Sequence, residues 1–226
     1  GLYIVADGMG GQAAGELASE GSVKRTFLRF IERRILPGLR EQQTRRLDTG
    51  EQALGPADVL GELVQEANHL VHQASRASRA NRGTTITAAL IIGRHATIAN
   101  VGDSRTYLFR ANELHQITTD HSLVYSLYKS GQIPKDQIYM HPQKNEIYRS
   151  LGDKAEVQVD TFPVTLRAGD RLLLCSDGLW EMVRDPQIIQ ILQQAASPQA
   201  ACDALIQAAN HNGGEDNISA IVINLE

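Results

Sequence analysis

The sequence predicts an α+β fold built of packed layers, and three observations carry that prediction. Residues 84–109 hold short runs of strand-forming residues broken by tight turns, the pattern of an antiparallel meander. Stretches with apolar residues at helical spacing frame the strand runs on both sides. Hydrophobic residues make up 42% of the 226, enough to bury the core of one large domain or two small ones.

The elements follow in order. Leu2–Ala6 is an apolar run of strand formers closed by Asp7-Gly8, and Gly8, Gly10 and Gly11 make a turn that lets backbone approach a ligand closely. Leu17, Val23, Phe27, Phe30 and Ile31 predict a helix over 13–36, stopped by Pro37-Gly38. Residues 38–56 are polar and weakly patterned, which predicts a surface loop or, alternatively, a continuation of the helix. Asp58 opens a second helix, with Leu60, Leu63, Val64, Ala67 and Val71 on one face, ending near Ala80-Asn81. Strands are expected at 84–92, 96–101 and 106–109, with turns at Gly93-Arg94 and Gly102-Asp103. A short helix is expected around 122–130 before Gly131. Further strands fall at 156–162 and 171–175, helices at 186–195 and 198–209, and a last strand at 217–225 after Gly213-Gly214.

Composition excludes several function classes. The 22 Lys and Arg against 26 Asp and Glu give a net charge of −4, where a general nucleic-acid binder carries a basic excess. Aromatic residues are 5%, too few for base-stacking platforms. Cys175 and Cys202 stand in no metal-type spacing and make no disulfide scaffold. No apolar run reaches the roughly 18 residues of a membrane helix, and no signal peptide is present, so a cytoplasmic chain without a membrane segment is expected.

One pattern carries chemistry. Apolar strands end in an aspartate that adjoins a turn residue at IVAD-G (Asp7), NVGD-S (Asp103), CSD-G (Asp177) and GED-N (Asp216). Taken singly, each is an ordinary turn. Strands of one sheet place their ends at a common rim, however, and several carboxylates gathered without basic partners repel strongly. A divalent cation resolves that repulsion, and oxygen-only ligands favour hard ions such as Mg²⁺ or Mn²⁺. No His/Cys cluster favours zinc.

VADGMGG (5–11) followed by AGELAS (14–19) resembles a conserved block of the protein phosphatase 2C family, in its bacterial form. Later blocks fall in the family's order: GTTITAALI (83–91), ANVGDSRTYLF (99–109), TTDHSLV (118–124), HPQKNEIYRSLG (141–152), CSDGLWEMV (175–183) and EDNISAIVI (215–223). The resemblance spans essentially the whole chain. It implies a four-layer α-β-β-α sandwich of two antiparallel sheets flanked by helix pairs. It implies a metal-dependent protein serine/threonine phosphatase holding two Mn²⁺ or Mg²⁺ ions and a third at a weaker site. By the matching motifs, Asp7 bridges two ions, the Gly8 carbonyl binds one, Asp177 and Asp216 complete the other's shell, and Asp103 serves the third. Asp7, Asp177 and Asp216 are thus the expected catalytic set. A metal-activated water attacks phosphorus directly, so no covalent phosphoenzyme and no nucleophilic cysteine are implied. The partners implied are phosphorylated proteins made by a serine/threonine kinase, met by a monomer.

The resemblance also marks departures. The family carries an upstream block with a phosphate-gripping Arg, and this sequence opens at Gly1, already inside a strand. The first reading is a single catalytic domain over 1–226 that lacks its first strand block, with a flap at 120–150. The alternatives are a catalytically impaired phosphatase-like binding module and a phosphatase of a sigma-factor regulator. Met9 stands where some members carry a histidine. His121 and His141 are expected to be structural, Cys175 a buried apolar residue, and Arg105 and Arg149 ion-pair partners. Tyr125, Tyr128 and Lys129 of the flap are candidate substrate contacts, and 40–46 is a solvated basic face.

Overall fold

The computed structural model describes residues 1–9, 55–78 and 83–226. The helix expected over 13–36, the loop after it and the basic face at 40–46 lie outside the described residues.

Strands β1 (Leu2–Val5), β4 (Ile86–Ile92), β5 (His95–Val101) and β8 (Asp160–Thr165) form one antiparallel sheet in the order β1-β4-β5-β8. Strands β6 (Arg105–Arg110), β7 (Glu113–Gln116), β9 (Arg171–Cys175) and β10 (Ala220–Asn224) form the other, ordered β10-β9-β6-β7. Two short strands, β2 (Gly8–Met9) and β3 (Gly83–Thr84), pair beside the first sheet.

Side-chain alternation explains the layering. In β4, Ile86, Ala88 and Leu90 turn to one face and pack with Leu60, Leu63, Val64 and Ala67 of α1 (Pro56–Ser78). Ala89 of the same strand turns the other way, to Ile98, Leu108, Leu172, Leu174 and Ile223 between the two sheets. In β9, Leu172 and Leu174 face that inter-sheet layer, whereas Leu173 and Cys175 face α4 (Asp185–Gln194) and α5 (Pro198–His211). Each fully buried Leu in these layers contributes about 1.5–3 kcal/mol. The α-β-β-α architecture expected from the resemblance is therefore present, with one outer helix described on the first sheet and two on the second. No described helix is long and apolar enough to cross a membrane.

Several elements differ from expectation, a short helix at Asp177–Trp180 and the β2–β3 pair among them. The strand expected at 156–162 is Asp160–Thr165. It is the edge of its sheet, where Pro163 forfeits no ladder bond that a neighbour needs. The β6–β7 hairpin is new: its loop, Ala111-Asn112, has φ of 51° and 66°, the mirror-image turn that suits strand twist. A 3₁₀ turn at Lys135–Tyr139 is also new. Together with α2 (Leu123–Lys129), it packs Val124 and Ile138 onto the second sheet's helix-side core.

Candidate metal centre

Asp7 follows β1, Asp103 lies in the crossing from β5 to β6, Asp177 follows β9 and Asp216 precedes β10. Both sheets therefore deliver carboxylates to one rim. All four aspartates, with Gly8, Thr85, Asn145 and Ile147, line a single cavity of about 240 Å³. The residues expected as metal ligands, Asp7, Gly8, Asp103, Asp177 and Asp216, thus share one cavity.

Local bonds hold the Asp7 and Asp103 loops in place, and a close backbone approach sets those of Asp177 and Asp216. The Asp7 carbonyl accepts from the Thr85 N–H at 2.8 Å and the Thr84 hydroxyl at 2.7 Å, while the Asp7 N–H donates to Thr85 Oγ1. Thr85 Oγ1 also bonds Ser104 Oγ at 2.7 Å, so one hydroxyl ties the Asp7 loop to the Asp103 loop. Trp180 Nε1 donates to the Asp103 carbonyl at 3.0 Å. The Arg105 guanidinium lies 3.5 Å over the Trp180 ring and pairs with Asp120 at 2.6 Å, both members of the pair being buried. Asp177 opens a short helix, α3 (Asp177–Trp180). A Cβ on Gly178 would stand 2.5 Å from the Asn217 carbonyl oxygen. Only a glycine therefore lets the Asp177 turn approach the Asp216 strand so closely.

The electrostatics are those of an acidic pocket. Burial first, then the Asp177 hydrogen bond and the charges of Asp177, Asp216 and Asp103, push the Asp7 carboxyl up to about 8. Burial, with Asp177 and Asp120, pushes Asp103 up to about 7 against the opposing pull of Arg105. Carboxyls hold protons near neutrality when burial strips their hydration and neighbouring carboxylates outweigh any nearby cation. Among the described residues no three His, Cys, Asp or Glu side chains already form a metal-binding cluster; the aspartates share a cavity wall. Their oxygen-only chemistry and mutual repulsion fit a hard divalent cation.

The remaining candidates fall elsewhere. His121 is buried: its Nδ1 accepts from the Gly102 N–H at 3.0 Å, which places the proton on Nε2, facing Asp160 at 3.0 Å. Arg149 pairs with Asp160 at 2.8 Å. His141 Nδ1 accepts from the Gln143 N–H in a turn. Burial pushes the Cys175 thiol up to about 12, so it supplies no thiolate near neutrality. Tyr125, Tyr128 and Lys129 are not among the described residues that line the cavity; the Tyr125 and Tyr128 rings meet edge to face with each other and pack against the second sheet's helix-side core instead. Sequence reasoning missed Thr85, Trp180, Asn145 and Ile147 in these roles. Thr85 and Trp180 lie inside motif blocks, and Trp180 is the chain's only tryptophan, a signal that could have marked it. Asn145 and Ile147 also lie inside a motif block, HPQKNEIYRSLG (141–152), but nothing within it sets them apart.

The sequence pattern of the protein phosphatase 2C family matches residues 2–125 and 149–218. The serine/threonine phosphatase stp of Listeria welshimeri is 40% identical over 224 residues, spanning 98% of this chain and 83% of that protein. Protein phosphatase PhpP of Streptococcus pneumoniae is 35% identical, spanning 99% and 85%. Among solved structures, the Mycobacterium tuberculosis serine/threonine phosphatase PstP/Ppp superposes with a TM-score of 0.78 at 34% identity, covering 100% of this chain and 88% of that one. The catalytic domain of PstP in complex with two manganese ions has a TM-score of 0.73 at 33% identity, covering 99% and 86%.

Proposed function

The chain belongs to the protein phosphatase 2C family, and from that premise we propose that it hydrolyses phosphoserine and phosphothreonine in proteins, using divalent cations held at the rim of its two sheets. The observation that carries this reading is the convergence of Asp7, Asp103, Asp177 and Asp216 on one cavity. Asp7, the Gly8 carbonyl, Asp177 and Asp216 would hold two ions and Asp103 a third. Mn²⁺ is the ion we favour, because the PstP relative is described with two manganese ions. Bound there, such cations supply Lewis-acid polarisation of phosphoryl oxygens and lower the pKa of water.

The chain's own residues do the rest. Thr84 and Thr85 fix the Asp7 backbone from both sides, and Trp180 fixes that of Asp103. Ile147 gives the cavity an apolar wall, which limits bulk water beside the reacting phosphoryl group. The substrates are proteins phosphorylated by a serine/threonine kinase, and the setting proposed is that of a cytoplasmic monomer.

The test is hydrolysis of p-nitrophenyl phosphate and a phosphothreonine peptide, with Mn²⁺ and with EDTA. Mn²⁺-dependent turnover that EDTA abolishes is expected. Asp177→Ala should lower kcat/KM by more than about 100-fold, the upper range for losing a mere supporting partner of a ligand. Full activity in that variant would remove Asp177 from the metal shell, and a folded, Mn²⁺-binding but inert wild-type chain would make it a binding module.

A further inference from the structure

One wall of the cavity comes from the stretch between the two matched parts of the family pattern, within the 141–152 block. The match stops at residue 125 and resumes at 149, and Asn145 and Ile147 come from the segment between. Among the described lining residues, Asn145 bears the one side-chain N–H donor; the others offer carboxylates, a hydroxyl, an apolar chain and backbone. The Thr85 hydroxyl is already engaged by Ser104 and Asp7. The Asn145 side chain is exposed and has no hydrogen-bond partner among the described residues.

The segment is held in register with the carboxylates. Lys144 Nζ reaches Glu181 at 2.5 Å and Glu215 at 3.6 Å. Glu181 caps the short helix that Asp177 opens, and Glu215 immediately precedes Asp216. One ammonium thus ties the residue beside Asn145 to both loops that carry these ligands. Backbone bonds close the other side: the Leu123 N–H donates to the Glu146 carbonyl at 2.9 Å, and the Tyr148 N–H to that of His121 at 3.0 Å. Asn145 therefore faces the cavity on a segment tethered at both of its flanks.

We propose that the Asn145 amide donates a hydrogen bond to a non-bridging oxygen of the substrate's phosphoryl group, and that Lys144 is the positioning residue that aims it. This rests on the phosphatase reading. A phosphate dianion entering between cations and an acidic wall presents oxygens that the carboxylates repel, and an N–H donor on the open side accommodates one of them through a charge-assisted bond. Because the phosphoryl oxygens are present in substrate, product and transition state alike, the contact binds them uniformly and its loss falls on KM.

The experiment compares wild type, Asn145→Ala, Lys144→Met and the double variant in saturating Mn²⁺. For Asn145→Ala, KM should rise about 10-fold on both p-nitrophenyl phosphate and a phosphothreonine peptide. The dissociation constant of inorganic phosphate, titrated calorimetrically on the Mn²⁺-loaded protein, should rise by the same factor. Lys144→Met should reproduce the shift, and the double variant should add little, since both remove one contact. A shift on the peptide alone would place Asn145 against the polypeptide and overturn the proposal. So would unchanged phosphate affinity, or a matching loss of Mn²⁺ affinity, which would place the amide on the metal shell. Should wild type turn over neither substrate, the phosphatase reading fails while the phosphate titration still decides the Asn145 contact.

Discussion

Asp7 and Asp103 show what the rim costs in the absence of cations. Their carboxyls are raised to about 8 and about 7 by burial and by neighbouring carboxylates. Both values lie above the ordinary carboxylate range, so at pH 7 the folded, metal-free protein holds protons that a cation must displace. Metal binding at pH 7 should therefore release roughly one proton, read from calorimetric Mn²⁺ titrations in buffers of different ionisation enthalpy. Apparent Mn²⁺ affinity should climb as pH rises through 7 to 8 and level off above it. Release of no protons at pH 7 would mean the two carboxyls are already ionised. Asn145 and Lys144 belong to the same scale: a single amide and a single ammonium, each read through the ligand it holds.

At the scale of elements, the β6–β7 hairpin is the least expected piece. Its turn places Ala111 at φ 51°, a conformation that costs an L-residue roughly 1 kcal/mol and that asparagine tolerates. Ala111→Asn should raise the thermal midpoint by about 1–4 °C, and Ala111→Val should lower it, because a β-branched side chain fits that region poorly. A midpoint unmoved by both would show that the turn relaxes freely. The hairpin escaped the sequence reading because Ala-Asn lacks the Asn-Gly or Asp-Gly signal. Leu114 is also the single apolar residue of β7. The β8 boundary was misjudged for a related reason. Val157 and Val159 pack under α1 without belonging to a strand, so burial alone imitated strand periodicity. Helices α1, α4 and α5 and the strands β4, β5, β6, β9 and β10 were legible because their apolar residues recur at 3.6 or 2 over enough length to decide the period.

Across the whole molecule, the site exists because two sheets share a rim. The chain crosses from β5 in one sheet to β6 in the other at Gly102-Asp103, where a Cβ on Gly102 would strike Thr85 at 2.6 Å. The second close approach, Gly178 against Asn217, brings the Asp177 turn to the Asp216 loop. Gly178→Ala should separate those two loops, at an overpacking cost of about 1–3 kcal/mol. It should also weaken Mn²⁺ binding by about 10-fold or more while leaving the helical circular dichroism in place. Wild-type Mn²⁺ affinity in that variant would show that the approach is not what assembles the ligands. By itself the sequence determined the layered α+β class, most element positions and the four strand-end aspartates, since strand period, turn residues and motif order are local properties of the chain. Only the tertiary structure decided that these four of the 26 acidic residues face one cavity. It alone showed that Thr85 and Trp180 hold their backbones, and that Asn145 and Ile147 close the wall. Those relations depend on sheet order and on residues far apart in the chain, and no local pattern encodes which strand ends become neighbours.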